Sequence, residues 1–127
     1  MLGYFSDAPN APKVIGPYSQ AVVAGNLVFL SGQVPIDPET GKLADGGIEA
    51  QADQVMKNLS AVLTHLGLNF TNVARATIFL TDLGSFQKVN AVYDRWLNGP
   101  KPARVTVQVA ALPAGAQVEI DMIAVKT

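Results

Sequence analysis

The chain has 127 residues, one domain's worth on the usual prior, no cysteine, and nine Lys and Arg against ten Asp and Glu, a net charge of -1. Disulfides, thiolate metal sites and a cysteine nucleophile are excluded, and the scattered cations give no basic stripe for phosphate-led nucleic-acid binding. Only 15% of residues are charged while 49% are hydrophobic, where a typical soluble domain is about 25% charged; so few charges predict a surface partly covered by other subunits.

In chain order, Leu2–Phe5 reads as a short strand, followed by extended chain with three prolines before Tyr18. Ser19–Ala24 and Leu27–Ser31 are β-prone runs separated by Gly25-Asn26, the signature of a hairpin. Gly32 to Gly47, rich in Gly and Pro, is expected to be a long ordered loop. Ile48 to Leu66 carries one apolar stripe at helical spacing (Ile48, Ala52, Val55, Met56, Leu59, Val62, Leu63, Leu66), and Gly67 fits the residue just past a helix end.

Val73 to Thr81 is rich in β-branched residues and predicts a strand. A second helix, capped by Ser85 or Asp82, has the stripe Phe86, Val89, Asn90, Tyr93, Trp96, Leu97 and ends at Gly99-Pro100. Arg104 to Val109 and Gln117 to Val125 alternate as strands, with a turn at Pro113–Ala116. The order ββαβαββ predicts a single α+β domain over residues 1–127: a mixed sheet with two helices on one face. Val105 and Val107 are expected to point inward, so that the opposite face carries Arg104, Thr106, Gln108, Glu119 and Asp121.

Met1 to Lys13 lacks a basic leader with an apolar stretch, and the longest apolar run, Ala21 to Leu30, is too short for the ~20 residues of a spanning helix. A cytoplasmic or other reducing location, with no membrane partner, is expected. His65 is the only histidine and lies off the apolar stripe, so neither a zinc site nor a Ser-His-Asp triad is favoured. Gly46-Gly47 marks a helix start rather than a phosphate loop. Arg104 and Glu119, charges inside otherwise core-like strands, read either as a structural ion pair or charges on an exposed edge strand, or as an anion clamp with a general base. Asn90 needs either a loop backbone or a ligand as partner. Gly32 after Ser31 could let a backbone N–H approach a ligand, and Tyr18 offers an aromatic body with a polar tip.

Four stretches carry a family resemblance: Ile15-Gly16-Pro17-Tyr18-Ser19-Gln20, Ser31-Gly32-Gln33-Val34-Pro35, Thr81-Asp82 with Val89-Asn90-Ala91-Val92-Tyr93, and Pro102-Ala103-Arg104 running on to Val118-Glu119-Ile120. Over residues 8–125 the chain resembles the RidA, or YjgF, family of reactive-intermediate deaminases. The resemblance implies hydrolysis of 2-imino acids such as 2-iminopropanoate and 2-iminobutanoate to 2-keto acids and ammonia. It also implies a homotrimer like the small chorismate mutases, sites in clefts between subunits, and no metal or organic cofactor. Arg104 takes the position of the carboxylate-binding arginine and Glu119 that of the water-activating glutamate; Tyr18, Ser31, Gly32, Phe86, Asn90 and Thr106 take pocket positions. Val105 stands where Ser is more usual, and Asp121 where a second Glu is common. Family members have also been described as ribonucleases or translation inhibitors, and a non-catalytic receptor for keto or amino acids is the other alternative.

Overall fold

The computed structural model describes residues 1–127. Eight strands and two α-helices follow one another: β1 (Leu2–Phe5), β2 (Ala21–Ala24), β3 (Leu27–Gln33), β4 (Ile36–Asp37), β5 (Lys42–Leu43), α1 (Gly47–His65), β6 (Val73–Leu80), α2 (Phe86–Trp96), β7 (Ala103–Gln108) and β8 (Val118–Val125). Six strands form one mixed sheet in the order β1-β2-β3-β8-β6-β7, in which only β6 and β7 run parallel. The parallel pair follows from α2, which carries the chain from the end of one strand back to the start of the next.

Alternation decides the layers. Val28 and Leu30 of β3, Ala76, Ile78 and Leu80 of β6, and Val118, Ile120, Met122 and Ala124 of β8 are buried. They meet Val55, Met56, Leu59, Val62 and Leu63 of α1 and Val89 and Val92 of α2 in one core. This is the α+β arrangement expected, two helices on one face of a mixed sheet. The other face is open: Phe29, Val105 and Val107 lie there 42%, 41% and 37% exposed, an apolar strip on a chain with few surface charges.

α1 stops where the sequence indicates. Gly67 has φ 75°, the left-handed value that glycine reaches without a Cβ clash. Its N–H donates to Thr64 O, and the Leu68 N–H to Leu63 O, both at 2.9 Å, the paired bonds of a Schellman ending. Two details differ from expectation. The Gly32–Gly47 segment is not plain loop, since β3 extends to Gln33 and β4 and β5 form a small antiparallel hairpin. It is fastened by Asn58, a fully buried helix residue whose amide donates to Val34 O (3.2 Å) and Ile36 O (3.0 Å). The side chain of Asp82 accepts from the Gly84 N–H (2.8 Å) and so caps the short 3-10 turn ahead of α2, while Ser85 precedes α2 without a side-chain cap.

A second buried amide shapes the amino-terminal segment. Gln20 accepts from the Ala8 N–H (2.9 Å) and donates to Pro12 O (3.0 Å). This clamp holds the proline-containing stretch beside the sheet and leads the chain into Ser19 and the start of the hairpin. Proline cannot donate to a ladder, so a side-chain tether replaces the backbone one.

Candidate active site

Register places the two charges singled out in the sequence. β6 lies between β7 and β8 and is a common ruler: Arg104 pairs with Ala76 and Thr106 with Ile78, whereas Glu119 pairs with Phe79 and Asp121 with Thr77. Ala76 and Ile78 face the helices, so Arg104 and Thr106 do too. Thr77 and Phe79 face the open side, and so do Glu119 and Asp121. The expectation of one face bearing Arg104, Thr106, Gln108, Glu119 and Asp121 is therefore corrected: Val105 and Val107 point outward, and Arg104, Thr106 and Gln108 point to the helix side. Alternation within β7 fixes two faces but not which one meets the core. β7 is the edge strand, and α2 covers its polar side.

On the helix side, Arg104 is half-buried against α2. Its Cζ lies 5.5 Å from the centre of the Phe86 ring and 5.3 Å from that of Tyr93. Aromatic faces attract a guanidinium through their quadrupole, and Phe86, Asn90 and Tyr93 follow at steps of four and three, one stripe of the helix. The ion-pair reading does not hold within the chain, whose salt bridge joins Lys101 to Asp94 at 2.9 Å. The five donors of Arg104 stay free of any carboxylate of its own chain. Two hydroxyls on this side, Tyr93 Oη and Thr106 Oγ1, are buried without a hydrogen-bond partner. Unpaired buried polar atoms cost free energy, and here they lie on the side of β7 that carries an unpaired cation. Burial pushes the Tyr93 phenol above its usual pKa, with the Arg104 charge opposing the shift.

On the open side, Glu119 stands against a β-bulge. Between Leu30 and Gln33 the β3 register slips by one residue against β8, which takes Ser31 and Gly32 out of the regular ladder. The Ser31 hydroxyl donates to Ser19 O (2.6 Å), tying the bulge to the segment that carries the exposed Tyr18. A Cβ at Gly32 would overlap Glu119 Oε2 and come within 3.0 Å of its Cδ, so the glycine leaves room for the carboxylate where it stands. Burial raises the Glu119 pKa above the ordinary carboxylate value, and the negative charge of Asp121, two residues along the same face, raises it further.

The sequence-derived residues thus fall into two groups. Phe86, Asn90, Arg104 and Thr106 gather on the helix side of β7; Ser31, Gly32 and Glu119, with Tyr18 nearby in the chain, gather about the bulge on the open side. One chain does not bring the two groups together. Tyr93 belongs to the first group; the sequence shows it in the helix stripe and in a stretch that carries the family resemblance, but not among the pocket positions, because its spacing to Phe86 reads as core. No three His, Cys, Asp or Glu side chains cluster as a metal would require. His65 is exposed at the end of α1, its ring edge-on to Phe5 at 6.3 Å. A cavity of about 660 Å³ between α1 and the β4–β5 hairpin, lined by Asp37, Glu39, Lys57 and His65 among others, contains neither group.

The fold defines a small α+β protein with two helices on one face of a mixed sheet, and the chain belongs to the family described as Endoribonuclease L-PSP, also known as YjgF/RidA, whose sequence model matches residues 8–126. Protein DfrA of Myxococcus xanthus is 61% identical over 117 residues, covering 91% of this chain and 89% of that protein. The mouse protein named 2-iminobutanoate/2-iminopropanoate deaminase is 47% identical over 116 residues, 91% of this chain and 86% of its own. Among solved structures, Escherichia coli TdcF with bound serine superposes with a TM-score of 0.93 at 36% identity, covering 98% of this chain and 100% of that one. No helix of this chain is long and apolar enough to cross a membrane.

Proposed function

We propose that this protein hydrolyses small 2-imino acids, 2-iminopropanoate and 2-iminobutanoate among them, to 2-keto acids and ammonia, as one RidA-like domain acting in a cytoplasmic homotrimer. The observation that carries the reading is the separation of an unpaired, aromatic-bracketed Arg104 from a proton-accepting Glu119 on opposite faces of one sheet. A neighbouring copy that lays its open face beside the β7 edge would unite them, and the exposed Phe29, Val105 and Val107 supply apolar area for such contact. The names carried by relatives at 42–47% identity support the same chemistry.

In the proposed cleft, the Arg104 fork binds both oxygens of the substrate carboxylate. Phe86, Asn90 and Thr106 line the same side; Tyr18, Ser31 and Gly32 close the other. Glu119 takes a proton from water as its oxygen attacks C2, giving a carbinolamine. That proton passes to nitrogen; the new hydroxyl then gives up its own proton, by way of Glu119, to the same nitrogen as the C–N bond breaks, so that ammonia leaves with the keto acid. A carboxylate whose pKa is raised is a better proton acceptor, and its task is matched more closely to neutral pH. Imines hydrolyse readily, so positioning and one base suffice and the chemistry requires no metal or cofactor.

The test generates imino acids in situ with an amino-acid oxidase and follows keto-acid release with and without the protein. Acceleration, with added RNA left intact, is the expected result. RNA cleavage without acceleration would favour the ribonuclease reading contained in the family's description. Binding of a keto acid or amino acid without turnover would favour a receptor, the reading that fits a TdcF structure holding serine.

A further inference from the structure

Tyr93 is a buried polar group for which the mechanism above has no task. It is 6% exposed, and its hydroxyl bonds to nothing in the chain. Its ring centre is 5.3 Å from Arg104 Cζ, and that of Phe86 is 5.5 Å away. The two rings are seven residues apart on α2, about 10.5 Å of helix rise, which puts the guanidinium between them rather than over one of them. Nothing else within the chain fixes its plane, because Arg104 has no ion pair and lies on an edge strand.

We propose that Tyr93 is the positioning residue for Arg104: with Phe86 it brackets the guanidinium and sets the plane in which the fork meets a substrate carboxylate. The proposal deepens the deaminase reading and rests on it for the identity of that carboxylate. A guanidinium free to rotate would still attract the anion, but would spend little of its time aligned for two parallel hydrogen bonds. Tyr93 acts through Arg104 and through its ring. Because the phenol bonds to nothing in the chain, phenylalanine should serve in its place. Leucine, which fills space without a π-face, should not.

The experiment has two readouts on the assembled protein. The chain has three arginines, Arg75, Arg95 and Arg104, so the Arg104 side-chain Nε–H resonance is identified by its disappearance in Arg104→Lys. In the wild type that group should show the upfield displacement and slow rotation of a cation between ring faces. Tyr93→Phe should keep both. Tyr93→Leu should lose both, while raising KM for imino acids about tenfold, with a smaller change in kcat. Phe86→Leu, at a less buried position, checks the other side of the bracket should Tyr93→Leu fold poorly, and should show the same pattern. An unchanged Arg104 resonance in a folded leucine variant overturns the proposal. So does a loss in Tyr93→Phe as large as in Tyr93→Leu, which would assign the work to the hydroxyl. The resonance is read without any turnover; absence of turnover in the wild type would therefore refute the deaminase reading and leave the bracket to be judged by its own signal.

Discussion

Replacing Glu119 with Gln separates the chemistry of the site from its shape. The amide is nearly isosteric, so the packing against Gly32 and the bulge at Ser31 should survive, but it cannot accept a proton from water. General-base assistance is typically worth ~10²–10⁴ in rate, so kcat should fall by that range while 2-keto-acid affinity, which the proposal assigns to Arg104, stays within a few-fold. Stability should move the other way. The folded-state pKa of Glu119 is raised by burial and by Asp121, so its contribution to stability is present below the unfolded carboxylate value and is lost as pH rises through the folded one. The Gln variant, which does not titrate, should match the wild type in acid and be no less stable than it at neutral pH. The assay is keto-acid release at saturating imino acid, beside thermal unfolding from pH 4 to 8. Wild-type turnover in a folded Gln variant would refute the base assignment; a neutral-pH Tm well below wild type would refute the account of the raised pKa.

Arg104→Lys keeps the charge and loses the fork; with a charge-assisted hydrogen bond worth about 1.5–3 kcal/mol, activity should drop by one to two orders of magnitude, and further in Arg104→Ala, with the fold intact by circular dichroism. Gly32→Ala should push Glu119 from its place, since the new Cβ overlaps Oε2; deaminase activity should fall at least tenfold while carboxylate binding at Arg104 is spared, measured by calorimetry with 2-ketobutanoate. Light scattering at micromolar concentration should give a mass three times that of the 13.4 kDa chain, and a monomer would remove the basis for a shared cleft.

Much of the fold was legible because its signals are local. The stripe from Ile48 to Leu66 and the Gly67 stop define α1 within one residue at each end, and the alternation of Val118, Ile120, Met122 and Ala124 predicts the buried face of β8. The β4–β5 hairpin was not legible, since two-residue strands show no period and the tether that holds them, Asn58, sits in a helix far along the chain. The sequence singles out the candidate site's residues but not their geometry. Arg104 and Glu119 stand out because each interrupts an apolar strand. Which face each takes depends on pairing with β6, a non-local register that alternation within a strand cannot supply. Tyr93 was hidden for a related reason: an aromatic at helical spacing looks like core until the strand beneath it proves to carry an arginine.

The opposite-face placement of Arg104 and Glu119 has a genetic consequence. If each cleft draws its cation from one chain and its base from the next, the two defects Arg104→Ala and Glu119→Gln reside in different halves of every cleft. Each variant assembled alone has no intact cleft. Assembled together in equal amounts, roughly a quarter of the clefts would receive a sound arginine from one parent and a sound glutamate from the other. Two inactive alleles in one cell would then complement each other, whereas two alleles damaged in the same half would not. The sheet in effect sorts loss-of-function mutations into two complementation groups according to the face on which they fall.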